Sequence, residues 1–308
     1  MQTHSDFSRR RFVAGSAATI SAVAASLNHR FSLAEEAAKE AGIDGAIRHS
    51  ACKWCYKKIE LEDLCIAGKE FGLDSIELLG PDDWATLKKH GYHCAMVDAP
   101  SGEVTVGGET VKVGRIGHAF NRVEYHDTLV EIYEERVKAA ADAGFMNVIC
   151  FSGNRRGMDD EEGLKNCAIG LKRLMPLCEK LGVTLSMELL NSKVNHADYM
   201  CDLSSWGAEL CEAVGSESFK LLYDIYHMQI MEGDVIATIR ERSKYFSHYH
   251  TGGVPGRGEI DESQELYYPA IVKAIAETGY TDFIGQEFIP KREDKLASLR
   301  QGVEICTV

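Results

Sequence analysis

"EEGLKNCAIGLKRLMPLCEKLGVTLSMELLN", residues 161–191, carries two periods in succession. Leu164, Cys167, Leu171, Leu174, Cys178 and Leu181 recur every three or four positions and so share one face of a helix. Gly182 ends that helix, and Lys180 suits the negative end of its dipole. Then "TLSMELL" supplies a short apolar run of strand length. The same unit recurs from about residue 46 onward. The strand-like runs are "AIRHSAC", "DSIELL", "YHCAMVDA", "MNVICFSG", "TLSMELL", "FKLLYDI", "YFSHYHTG" and "DFIGQEFI", with helical patterns between them. Eight strand–helix pairs in about 260 residues match the count and length of a (β/α)8 TIM barrel, a single α/β domain. A doubly wound open sheet normally shows a Gly-rich turn after its first strand. "ACKWCYKK", residues 51–58, has none.

The 308 residues are 45% hydrophobic and 26% charged, the composition of an ordinary globular chain. No run of 18 apolar residues is present, so no membrane-spanning helix is expected in the mature form. Residues 1–34 read separately. Ser8, Arg9, Arg10, Phe12 and Val13, followed by a mild apolar run and small residues up to Ala34, resemble a twin-arginine export signal. That resemblance implies a periplasmic or otherwise extracytoplasmic protein, with the barrel in residues 35–308. The segment holds four Arg and one Asp, so the remainder has 34 − 4 = 30 basic and 47 − 1 = 46 acidic side chains. A net charge of −16 repels phosphate backbones and anionic lipid heads, which argues against nucleic-acid and membrane-surface partners. Of ten cysteines, Cys94, Cys150, Cys167, Cys178 and Cys211 sit in apolar patterns as small core residues would. Cys52 and Cys55 form one C-x-x-C without a second pair for zinc. They read as unpaired thiols at a strand end, with a local disulfide or redox role as the alternative.

Four strands end on side chains that strands rarely spend. Glu188, Asp224, His250 and Glu287 stand at the C-terminal ends of the fifth to eighth strands, 26 to 37 residues apart in the chain. A closed barrel brings those ends together on the face where such barrels keep their chemistry. Three carboxylates crowded there would resist ionisation. One divalent cation removes the conflict, and hard oxygens with one imidazole suit Mn²⁺, Mg²⁺ or Co²⁺. His248 falls on the same strand face as His250, one layer deeper. Each residue alone has a plainer reading as a salt-bridge partner.

"YDIYHMQIMEGD" (223–234), "VPGRGEI" (254–260), "SMELLN" (186–191) and "GQEF" (285–288) together resemble the hydroxypyruvate isomerase branch of the xylose-isomerase-like barrels, over essentially the whole mature chain. The resemblance implies an isomerase or epimerase of a small sugar or hydroxy-keto acid. It makes Glu188, Asp224, His250 and Glu287 metal ligands, with Glu188 and Glu287 also the acid/base pair. His227 would touch substrate, and Arg257 would grip a substrate oxygen or carboxylate. That branch commonly carries Gln where this chain has His250, whereas ketose epimerases carry His. The chemistry needs no family name: two carboxylates remove and return a proton beside a carbonyl while a cation stabilises the enediolate.

Further candidates lie near the same rim. Glu77 ends the second strand and is read as a substrate contact or a rim salt bridge. Trp54, Trp84 and Phe120 are candidate pocket walls or packing. Asn154 and Arg155 face the proposed pocket or solvent, and Lys193 is a lesser substrate candidate. The long insert 100–127 contains "FNR", 120–122, a candidate lid. Two other readings stay open: an exported lyase or epimerase of oxidised sugars or glycosides, and a non-catalytic sugar-binding barrel. A nuclease on this scaffold needs a basic surface and more histidines. Pairing of barrels through helices and rim loops is possible, but no interface is identified.

Overall fold

The structure, a computed structural model, describes residues 47–307. The expected export signal, residues 1–34, lies outside the described residues. From β1 (Arg48–Cys52) and β2 (Leu73–Glu77) the chain passes through a hairpin, β3 (Gly102–Val106) with β4 (Glu109–Val113). It then returns to β5 (Asn147–Cys150), β6 (Thr184–Glu188), β7 (Phe219–Asp224), β8 (Phe246–Thr251) and β9 (Phe283–Gln286). Seven of these form one parallel sheet in the order β2-β1-β9-β8-β7-β6-β5. Residues 93–98 bridge the gap between β2 and β5. Ile76 N donates to His93 O at 3.2 Å, Leu78 N to Met96 O at 2.8 Å, Val97 N to Asn147 O at 2.9 Å and Ile149 N to Val97 O at 3.0 Å.

This eighth stave is the predicted third strand, but it pairs only through isolated bridges. Ala95 shows why. Its N–H goes to the Ser75 hydroxyl at 2.8 Å and its carbonyl accepts from the Asn147 amide at 3.1 Å, so side chains replace ladder bonds there. The barrel of eight parallel staves is therefore the fold, and β6 to β9 are its fifth to eighth.

The helices are α1 (Leu61–Lys69), α2 (Trp84–Lys89), α3 (His126–Ala143), α4 (Asp160–Lys172), α5 (Met175–Leu181), α6 (Ser204–Val214), α7 (Ile225–Met231), α8 (Val235–Arg242), α9 (Tyr268–Glu277) and α10 (Lys295–Cys306). The single helix expected over 161–181 is two, α4 and α5. Pro176 has no N–H to give the carbonyl four residues back, and its ring crowds that turn, so the helix restarts at Met175. The apolar face survives the break: Cys167, Leu171, Leu174 and Cys178 are all buried. Gly182 closes α5 at φ 68°, a left-handed conformation that glycine adopts without strain.

The insert 100–127 is ordered, and the expectation of a lid in it is corrected. Residues 102–113 are an ordered hairpin with Val104 opposite Val111 and Gly102 opposite Val113. Phe120 and Asn121 are fully buried, and Asn121 N donates to Ser152 O at 2.8 Å. "FNR" is thus anchored to the barrel wall and is no lid. All ten cysteines are free thiols, as the plainer reading expected.

Candidate active site

β7 has no loop after it. Asp224 ends the strand and caps α7, its carboxylate accepting from His227 N at 3.1 Å. Asp224 is paired in register with His250 on β8, and His250 with Gly285 on β9. Those pairings bring the strand ends to one place. One ligand atom each from Glu188, Asp224, His250 and Glu287 lies within 4.8 Å of the other three, and all four residues are buried.

Arg257 reaches into this cluster from the loop after β8. Its Nη2 donates to Asp224 Oδ2 at 2.8 Å and to Glu287 Oε2 at 2.5 Å. The guanidinium also lies 5.4 Å from the Trp54 ring and 5.3 Å from that of Tyr226. Its backbone stands at φ 52°, a left-handed conformation that costs a non-glycine residue about 1–2 kcal/mol. Trp54, in a single turn after β1, donates Nε1–H to Glu287 Oε1 at 2.7 Å. Burial alone would raise the Glu287 pKa, but Arg257 and His250 outweigh it and hold the carboxyl well below its usual range. Glu188 and Asp224 go the other way. Burial raises both, and Glu287 nearby adds to it, although His250 lowers Glu188 and Arg257 lowers Asp224.

Glu77 is placed differently from its sequence reading. It is fully buried and faces neither substrate space nor solvent. Its Oε1 lies 2.7 Å from His250 Nε2, 2.9 Å from His248 Nε2 and 3.4 Å from Cys52 Sγ. A strand-end carboxylate is visible in sequence, but the partner that claims it sits five staves further along the chain. Burial would raise Glu77, yet the two histidines hold it far below the usual carboxylate range. The ionised carboxylate fixes Nε2–H on His250 and turns Nδ1 toward Glu188 and Glu287, at 3.7 and 2.6 Å. Nδ1 makes no aligned hydrogen bond there. A buried nitrogen without a hydrogen bond, facing carboxylate oxygens, with a second carboxylate behind its ring, is the arrangement in which histidine binds metal. The residues therefore fit a divalent cation.

His227 is wedged between Asn191, whose Nδ2 is 2.6 Å from its Nδ1, and Arg257, whose Nη1 is 3.1 Å from its Nε2. Burial, then Arg257, pushes its pKa well below the usual imidazole value. The other candidates are not brought to the cluster. Asn154 is held at the backbone by Asn121 and pairs with Tyr199. Arg155 is tied up by Asp160 and Asp202. Lys193 caps α7 through the Ile230 and Met231 carbonyls. Trp84 and Phe120 are core residues, packed on Phe145 and Tyr133. Above the cluster opens a cavity of about 490 Å³ whose wall includes Trp54, Tyr226, Arg257 and His196. His196 went unnoticed in the sequence, where nothing distinguishes it from a loop histidine.

Gly285 is required by close approach. A Cβ there would lie 2.5 Å from Glu77 Oε1 and 2.8 Å from His250 Cδ2. Gly285→Ala is expected to destabilise the barrel by about 1–3 kcal/mol, the usual overpacking cost, and to push Glu77 off His250. Thermal unfolding alongside cation titration checks both parts.

A model of the xylose isomerase-like TIM barrel family matches residues 67–306. A human protein provisionally assigned as a hydroxypyruvate isomerase is 32% identical over 105 residues, 34% of this chain and 38% of its own length. A 2-oxo-tetronate isomerase of Cupriavidus necator is 34% identical over 110 residues, 36% of this chain and 42% of its own. The matched stretches thus span about two fifths of these relatives. Among solved structures, a Brucella melitensis protein described as an AP endonuclease of family 2 superposes with a TM-score of 0.69 at 23% identity, over 82% of this chain and 97% of that one. At that identity the likeness concerns the fold.

Proposed function

This chain belongs to the xylose isomerase-like TIM barrel family, and from that premise we propose that it is a divalent-cation-dependent isomerase or epimerase of small sugars or hydroxy-keto acids. The observation that carries the reading is the convergence of Glu188, Asp224, His250 and Glu287, with His250 Nδ1 turned toward the carboxylates by Glu77. These four residues would hold the cation, and Mn²⁺, Mg²⁺ and Co²⁺ suit a donor set of three carboxylates and one imidazole. When bound it supplies Lewis-acid chemistry, which makes a C–H beside a carbonyl easier to ionise.

The protein's own residues do the rest. Glu188 and Glu287 reach the cluster from staves separated by two others, so a substrate seated between them meets one carboxylate that takes a proton and another that returns it. Return to the opposite face of the same carbon gives epimerisation, and return to the neighbouring carbon gives isomerisation. Arg257 orients substrate oxygens, His227 beside it holds the guanidinium in place rather than touching substrate as its sequence reading implies, and Trp54 covers the site beside Glu287. With its net negative charge the chain suits small-molecule substrates over nucleic acid. The signal-like residues 1–34 support export as part of this reading.

Purified protein is expected to carry a stoichiometric divalent cation by elemental analysis. With hydroxypyruvate, 2-oxo-tetronate and a panel of keto-sugars in deuterated water, NMR is expected to show deuterium entering beside the carbonyl. Exchange should stop with chelator and return with Mn²⁺, Mg²⁺ or Co²⁺. Protein without cation or exchange would instead be a sugar-binding barrel.

A further inference from the structure

Arg257 and Glu287 meet across two loops. Arg257 lies between β8 and α9, and Glu287 follows β9. Gly253 N donates to Gly258 O at 2.9 Å, which closes residues 253–258 into a tight turn that carries Arg257. The left-handed backbone of Arg257, at φ 52°, persists in a non-glycine residue only where the surroundings force it. His227, Trp54 and Tyr226 hold the guanidinium, but they act on the side chain. One backbone bond crosses between the loops, from Ile289 N to Arg257 O at 2.6 Å.

Glu259, two residues beyond Arg257, adds three more. It is buried, and its Oε1 accepts from Lys291 N at 2.8 Å, Arg292 N at 3.0 Å and Ser298 Oγ at 2.9 Å. An ionised acceptor makes each of these stronger than a neutral one would. Ser298 is buried in the first turn of α10, so the carboxylate reaches past the loop to a helix. That helix packs beside the cluster: a Cβ on its Gly302 would lie 2.7 Å from Phe288 Cε1. The loops also approach closely, since a Cβ on Gly258 would lie 2.9 Å from Lys291 Cε. Asp261 pairs with Arg292 further out, but the arginine is half exposed and such pairs contribute little.

We propose that Glu259 is a positioning residue for the site: by tying the loop after β8 to the loop after β9 and to α10, it holds the Arg257 backbone in place and so keeps the guanidinium on Asp224 and Glu287. The effect on turnover rests on the function proposed above; the effect on Arg257 does not. What the role requires is the reach of the side chain, because all three bonds end on one oxygen.

The test uses the full cation-loaded chain with Glu259→Gln, Glu259→Asp, Arg257→Ala and the double variant Arg257→Ala/Glu259→Asp. Gln keeps an oxygen at the Oε1 position, whereas Asp keeps the charge but falls one methylene short. With the ketone that the wild type exchanges fastest, Glu259→Asp is expected to lower kcat/KM about 10–100-fold, the worth of a hydrogen bond from a charged donor, with cation content unchanged. Glu259→Gln should restore it to within about threefold. In the Arg257→Ala background, Glu259→Asp should cost no more than about twofold, since two residues acting through one contact are not additive. A second readout needs no turnover: the Nη–H signals of Arg257 in ¹⁵N NMR, assigned by their loss in Arg257→Ala. They should be resolved in the wild type and in Glu259→Gln, and averaged by rotation in Glu259→Asp. Ser298→Ala removes one of the three donors and should loosen the same signals, which keeps the test decisive if Glu259→Asp does not fold. Gln as damaging as Asp, a full loss from Asp in the Arg257→Ala background, or Nη–H signals untouched by Asp and by Ser298→Ala would overturn the positioning role and leave the proposed function standing. A wild type that exchanges no ketone would overturn the function, and the NMR signals would still decide Glu259.

Discussion

Glu188→Gln and Glu287→Gln are each expected to slow solvent-proton exchange into substrate by about 10²–10⁴-fold, the usual worth of a general acid or base, while the barrel stays folded. Gln keeps an oxygen directed at the cluster but can neither take nor return a proton. The two differ in what else they disturb. Glu287 accepts from Trp54 at 2.7 Å and from Arg257 at 2.5 Å, so an amide NH₂ meets a donor on one side or the other. That misfit costs about 1–3 kcal/mol of stability. Among the described residues the Glu188 carboxylate accepts no side-chain hydrogen bond and meets His250 Nδ1 at 3.7 Å, so its substitution is structurally milder.

Glu188→Gln is therefore the cleaner experiment, with NMR exchange, circular dichroism and cation content read on the same sample. Cation content that falls in step with the rate, and a rate that recovers at saturating cation, would make Glu188 a ligand without a role in proton transfer. A rate within several-fold of wild type in both variants would remove the two-carboxylate mechanism.

The sequence displayed the staves because parallel barrel strands are short apolar runs, and it displayed the four strand-end residues because a buried strand seldom ends on a charge. Some features depended on pairing that no single run reveals. Residues 92–99 looked like any other strand, yet Ser75 and Asn147 capture the backbone of Ala95 and leave only isolated bridges. The break at Pro176 was legible from proline chemistry, though the continuous apolar face from Leu164 to Leu181 masks it. In "GEVTVGGETVKV", 102–113, alternating β-branched residues around Gly107–Gly108 spell a hairpin, a local signal hidden by the insert's place between barrel units. Asn154, Arg155 and Lys193 show the opposite limit. Residue type and position near the rim fit substrate contact, but the Met200 carbonyl and Asp202 carboxylate claim Arg155, the Ile230 carbonyl claims Lys193, and Asn121 pins Asn154 through its backbone carbonyl.

Glu77→Gln is expected to weaken cation affinity about 10–100-fold, the usual effect of losing the carboxylate behind a metal-binding histidine. One oxygen, Oε1, lies within reach of both His248 and His250, while Oε2 is buried with no partner among the described residues. A Gln that keeps its oxygen at Oε1 preserves both contacts and loses only the charge, at the expense of an unpartnered buried NH₂ worth about 1–3 kcal/mol. Without the anion, the Nδ1 lone pair of His250 is a poorer donor and the ring is less firmly held toward Glu188 and Glu287. The reading of Glu77 as a substrate contact predicts something else: a raised KM with cation affinity unchanged. Competition against a chelator of known affinity, run beside steady-state kinetics at saturating cation, separates the two. If affinity is unaltered while KM rises, Glu77 does not act through His250, and the orientation of Nδ1 must come from the strand register of β8 alone.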